Sequence, residues 1–88
     1  MQVQRKAVTA DTPVTFTFDV AGSQFLVKNF TSDIIAVGIL GSEVLIPANS
    51  AQMIATRMEP TVKDLTNTLT VTAQVTDSTG VEIQCLSY

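Results

Sequence analysis

Apolar and hydroxylated side chains alternate along much of this chain. Leu69-Thr70-Val71-Thr72-Ala73-Gln74-Val75-Thr76 and Val14-Thr15-Phe16-Thr17-Phe18-Asp19-Val20 are the clearest stretches. A period of two sends one set of side chains to a buried face and the other to water, as in a half-buried β-strand. Thr, Val and Ile also suit a pleated surface, because their χ1 angles are restricted before folding begins.

The same pattern divides the whole chain. Residues 1–12 are polar and lead into Pro13; they read as an N-terminal arm with one short strand around Val3 to Val8, ahead of a single domain over 13–88. Pro13 lacks an N–H and belongs at a strand start or an edge. Val14, Phe16, Phe18 and Val20 are expected to face inward. Ala21-Gly22-Ser23 then reads as a turn and Gln24 to Phe30 as the returning arm of a hairpin. Ile34 to Leu40 is apolar on both faces, so it is either a central strand covered on both sides or one whose outer face meets another subunit. Gly41-Ser42 turns the chain into a short strand that Pro47 stops. Pro47-Ala48-Asn49-Ser50 has β-turn chemistry, with Asn able to adopt the left-handed region. Ala51 to Met58 resumes as a strand, with Ile54 and Met58 favoured as its buried residues. Glu59 to Thr66 is the longest irregular connection, with room for at most one helical turn. Asn67 to Thr76 and Val81 to Tyr88 are expected to close a last hairpin around Asp77-Ser78-Thr79-Gly80, with Val81, Ile83 and Cys85 inward. About seven or eight short strands result. They predict an all-β fold: a compact antiparallel β-sandwich, Ig-like or jelly-roll, with a small barrel as the alternative.

Composition sharpens that picture. With 88 residues the chain is one domain, and only 15% of it is charged against a typical figure of about 25%. Thr, Ser, Gln and Asn therefore fill the solvent positions, and strand edges have few of the charges that normally keep sheets apart. Association with other proteins is the expectation. The net charge of −3 and the scattering of Arg5, Lys6, Lys28, Arg57 and Lys63 argue against nucleic acid, which needs several cations on one face. A polybasic membrane anchor fails for the same reason. The first residues have no apolar run behind their charges, so no signal peptide is expected, and Ile34 to Leu40 is too short to span a bilayer, so synthesis in the cytosol is expected. The single cysteine, Cys85, cannot bridge within the chain and alternates with Val81 and Ile83 as a core thiol would.

Chemistry is harder to find. The absence of histidine removes the commonest base, the commonest metal ligand and every Ser-His or Cys-His pair. The acidic residues Asp11, Asp19, Asp33, Asp64 and Asp77 sit beside turns, where Asp caps local backbone. Asp77-Ser78-Thr79-Gly80 is too short to wrap a calcium ion, and the isolated glycines make no phosphate cradle. Asn29-Phe30-Thr31 fits the glycosylation pattern but reads as a strand end feeding a turn. The expectation is a protein that is not an enzyme, with no catalytic, cofactor-binding or metal-binding residues and no cofactor. On the last strand Glu82, Gln84, Leu86 and Tyr88 read as outward. Leu86 and Tyr88 either cover the open end of the sandwich or join Phe30 as contacts for a neighbouring chain.

Two stretches carry a resemblance: Phe25-Leu26-Val27-Lys28-Asn29-Phe30-Thr31-Ser32-Asp33-Ile34, and Ile46-Pro47-Ala48-Asn49-Ser50-Ala51-Gln52-Met53-Ile54. A strand, an Asn-x-Thr turn, an apolar strand and an Ile-Pro-Ala turn into another strand resemble small β-sandwich proteins from the head and tail genes of tailed bacteriophages. The resemblance spans Phe16 to Met58 and transfers no functional residue. It implies a virion component made in the host cytoplasm: a capsid decoration, head-fibre or tail-associated subunit. Its partners would be its own copies, as trimers or hexamers, or a larger capsid or tail protein. The competing reading is an Ig-like adhesin or carbohydrate-binding module of a larger protein.

Overall fold

The computed structural model describes residues 2–59, 62, 63 and 65–87. The strands are β1 (Gln2–Val8), β2 (Val14–Gly22), β3 (Gln24–Asn29), β4 (Ile35–Ile39), β5 (Ser42–Ile46), β6 (Ser50–Ala55), β7 (Arg57–Glu59), β8 (Val62–Lys63), β9 (Thr66–Ala73) and β10 (Asp77–Ser87). Eight of them form two antiparallel four-stranded sheets, ordered β1-β10-β3-β6 and β2-β9-β4-β5. Among the described residues the short β7 and β8 pair with each other alone. The fold is the expected β-sandwich. Each connection among the eight passes from one sheet to the other, except the hairpin β4–β5, and the resulting order is that of a jelly roll.

That order corrects two local expectations. β2 and β3 are not a hairpin, and neither are β9 and β10, because each pair is split between the sheets. Ala21-Gly22-Ser23 and the residues after Ala73 are corners. Turn chemistry marks where a chain reverses, but a step across about 10 Å of core uses the same residues as a hairpin tip. The expected inward Val20 is also wrong: it is exposed. The β2–β9 register breaks between Thr17 and Gly22, so the alternation slips beyond Phe18. Within residues 1–12, Gln2–Val8 is an edge strand paired with β10, and Val8 belongs to the core. Where an irregular connection was expected after Met58, Arg57↔Lys63 and Glu59↔Val62 pair.

The core is the inner face of both sheets. Phe25, Val27, Val81, Ile83 and Cys85 of one sheet meet Phe16, Phe18, Ile35, Val37, Leu69 and Val71 of the other, all essentially inaccessible to water. The rings of Phe18 and Phe25 sit 6.0 Å apart across the interior, tilted by 43°. Ile54 is buried as expected; the side chain of Met58 lies outside the described residues. The segment 34–40 resolves into a strand interior to its sheet, with Ile35, Val37 and Ile39 inward and only Ala36 and Gly38 on the outer side.

Two features fix the corners. Asn29, 1% exposed, donates through Nδ2 to the carbonyls of Asp33 (2.9 Å), Ile46 (3.2 Å) and Pro47 (3.0 Å). Its Oδ1 accepts from the Thr31 N–H (2.9 Å) and hydroxyl (2.7 Å). One amide thus ties the β3–β4 corner to the β5–β6 corner, which is why the Asn29-Phe30-Thr31 triplet is structural. Gly80 has φ +69°, and a Cβ there would lie 1.9 Å from the Lys6 carbonyl oxygen. The β1–β10 register shift between Lys6 and Val8 brings these backbones together, so only glycine fits.

Candidate interaction surface

The two open sides of the sandwich differ. On one side β1 lies over β2, and its inward side chains are polar. Gln2 Oε1 accepts from the Asp19 N–H (2.9 Å), Gln4 Nε2 donates to Thr17 O, and Lys6 Nζ donates to Thr15 O (2.8 Å). Alternate residues of β1 therefore occupy the outward backbone groups of the β2 edge, leaving no template for another strand. On the other side, β5 and β6 leave an apolar groove of about 320 Å³, with Ile39, Val44 and Ile54 in its walls and Leu40 at its rim. Leu40 is exposed and held at φ +49°, ahead of Gly41 at φ +77°. Both residues of this two-residue hairpin loop are left-handed, a conformation that suits Asn-Gly far better than Leu-Gly.

The outer face of the β1-β10-β3-β6 sheet is built in rows by register. Val3, Gln84, Leu26 and Met53 form one row; Arg5, Glu82, Lys28 and Ala51 form the next. In the second row Lys28 Nζ lies 3.5 Å from Glu82 Oε2, which also accepts from Gln84 Nε2 at 3.0 Å. The Gln84 hydrogen bond, then the Lys28 charge and that of Arg5, hold the Glu82 carboxyl below its ordinary range. The first row is different: Val3 is 49% and Met53 51% exposed. An ordered charge ladder thus borders a row that is apolar except at Gln84 and reaches the free edge at β6. The opposite sheet shows water mainly hydroxyls and small groups, with Thr15, Thr70, Gly38 and Glu43 in one row.

The three residues singled out as contacts are not brought together. Phe30 is 37% exposed, on the outer side beyond the end of β3, with the Arg5 guanidinium 4.4 Å from its ring centroid. Leu86 is half-buried beside the register shift between Cys85 and Ser87, at the other end of the same face. A β3-length run of about 16 Å separates them. Tyr88 lies outside the described residues. Val3, Leu26 and Met53 were missed. Strand parity alone places Leu26 outward with Lys28, but no pattern within one strand says which residues of other strands share its row.

Asp77 Oδ1 accepts from the Thr79 N–H (2.7 Å) and the Gly80 N–H (3.4 Å), and the first of these chiefly lowers its pKa. Its oxygen is spent on its own turn. Among the described residues, no group of three Cys, Asp or Glu side chains lies close enough to hold a metal ion. No protein-family model matches the chain, and neither does any curated protein or any solved structure.

Proposed function

We propose that this chain is a non-enzymatic structural or assembly subunit of a bacteriophage particle, a capsid decoration, head-fibre or tail-associated protein, working through strand edges and an apolar outer patch. The observation that carries the reading is the row Val3, Gln84, Leu26, Met53, with Val3 and Met53 exposed and Leu26 half-buried, running out to a sheet edge that bears no charge. A solitary soluble domain gains nothing from such a stripe, whereas a subunit present in many copies converts a weak contact into a stable array. The jelly-roll order supports it, since that architecture recurs in capsid subunits, although it serves lectins too. So does the resemblance of Phe25 to Ile34 and Ile46 to Ile54 to phage head and tail sandwiches.

The experiment is to purify particles from cells that express the gene and measure this chain in them by quantitative mass spectrometry. A stoichiometry that is a simple multiple of the particle's symmetry is the expected result. Absence from particles, together with specific retention on a glycan array, would replace the reading with that of a carbohydrate-binding module.

A further inference from the structure

We infer that β6 pairs edge to edge with β6 of a second copy, joining two four-stranded sheets across a two-fold axis at Met53. This names the edge and the partner for the assembly role above, on which it rests for purpose but not for geometry. Four strand edges are available, and three are managed. The β2 edge is occupied by Gln2, Gln4 and Lys6. The β1 edge carries Arg5 and Lys6 and a register break, and β5 carries Glu43 and ends at Pro47. β6, Ser50-Ala51-Gln52-Met53-Ile54-Ala55, has no charge, no proline and an unbroken register against β3.

The phase of its free hydrogen bonds follows from one contact. The Thr56 N–H donates to Ser23 O at 2.9 Å, so by alternation Ile54, Gln52 and Ser50 also turn their backbone toward β3. Ala51, Met53 and Ala55 therefore turn N–H and C=O toward the open edge, and their side chains lie on the exposed outer face. That set is nearly palindromic. An antiparallel copy sets Met53 against its own equivalent and Ala51 against Ala55, so methyl-sized groups flank the axis. The charges agree: the Lys28 row continues into the row of Gln24 in the copy, not into another lysine. The Val3, Gln84, Leu26, Met53 row meets its own image and becomes one stripe across eight strands. An edge pairing of this length buries less than a standard interface of about 800 Å² per partner, so a weak, concentration-dependent dimer is expected, with Kd of roughly 1–100 μM.

Sedimentation velocity and cysteine trapping test this. The unmodified chain should dimerise with concentration. Met53→Lys, a change at an exposed position, should raise Kd at least tenfold. Met53→Cys should form a reducible dimer much faster than Leu45→Cys, an equally exposed site on β5, and unmodified protein with its buried Cys85 should not cross-link. A monomer at about 0.5 mM, or equal trapping at both positions, would overturn the inference. The virion reading would survive that result, because a monomer can still dock on a capsid protein; particle mass spectrometry decides it separately.

Discussion

Replacing Asn29 by alanine tests whether one buried amide holds two corners of the jelly roll. The substitution removes the acceptor of the Thr31 N–H and hydroxyl and the donor to the carbonyls of Asp33, Ile46 and Pro47. Asp33 O keeps the Thr31 hydroxyl at 2.8 Å, and Pro47, at the surface, can turn to water. Ile46 O keeps the ladder bond of the Ile35↔Ile46 pair, so the Thr31 N–H is left, on a residue with no exposure at all. An orphaned buried group costs about 1–3 kcal/mol. A domain of this length holds roughly 4–13 kcal/mol in total. The variant should therefore melt about 4–24 °C lower, taking about 4–8 °C per kcal/mol. Thermal circular dichroism and urea titration measure this, with Ser32→Ala at an exposed position of the same turn as control, expected within about 0.5 kcal/mol. Asn29→Asp sharpens the test. The new carboxylate would face three carbonyl oxygens, which raises its folded pKa above the unfolded one, so the variant recovers toward wild type as pH falls through that folded value. A loss below about 1 kcal/mol for Asn29→Ala, or no recovery in acid for Asn29→Asp, would refute the keystone role.

Gly80→Ala should cost about 3 kcal/mol or more, since it adds left-handed strain to a backbone collision with Lys6, and urea midpoints will report it. Leu40→Asn should stabilise by about 0.5–1 kcal/mol, because Asn-Gly suits the doubly left-handed loop that Leu-Gly now strains; a lower melting temperature would mean that Leu40 is anchored by packing instead. The carboxyls of Asp77 and Glu82 have folded pKa values below their ordinary 3.8 and 4.5. Their contribution is thus present above those ordinary values and is lost as pH falls through the lowered folded ones. Asp77→Asn, which keeps an acceptor for Thr79, should flatten the acid limb of stability between about pH 2 and pH 5 in urea titrations.

Sequence alone determined the class of fold, because the alternation of Thr with Val, Leu and Phe has a single physical solution: strands with one face buried. It placed Phe16, Phe18, Val81, Ile83 and Cys85 inward, since each belongs to a strand whose parity is legible locally. It also marked Asn29-Phe30-Thr31 as a turn, though not as the tie between two corners, because the carbonyls of Ile46 and Pro47 lie far along the chain. Tertiary structure decided everything that depends on which strands are neighbours. The split of β2 from β3 and of β9 from β10 could not be read from their turn residues, as a corner and a hairpin tip ask for the same backbone freedom. The slip at Val20, the Gly80 collision and the seal of Gln2, Gln4 and Lys6 over β2 all arise from register. The row of Val3, Leu26 and Met53 comes from three strands separated in sequence, and only pairing through β10 and β3 lines it up. Alternation is a property of one strand, whereas a surface belongs to the whole sheet.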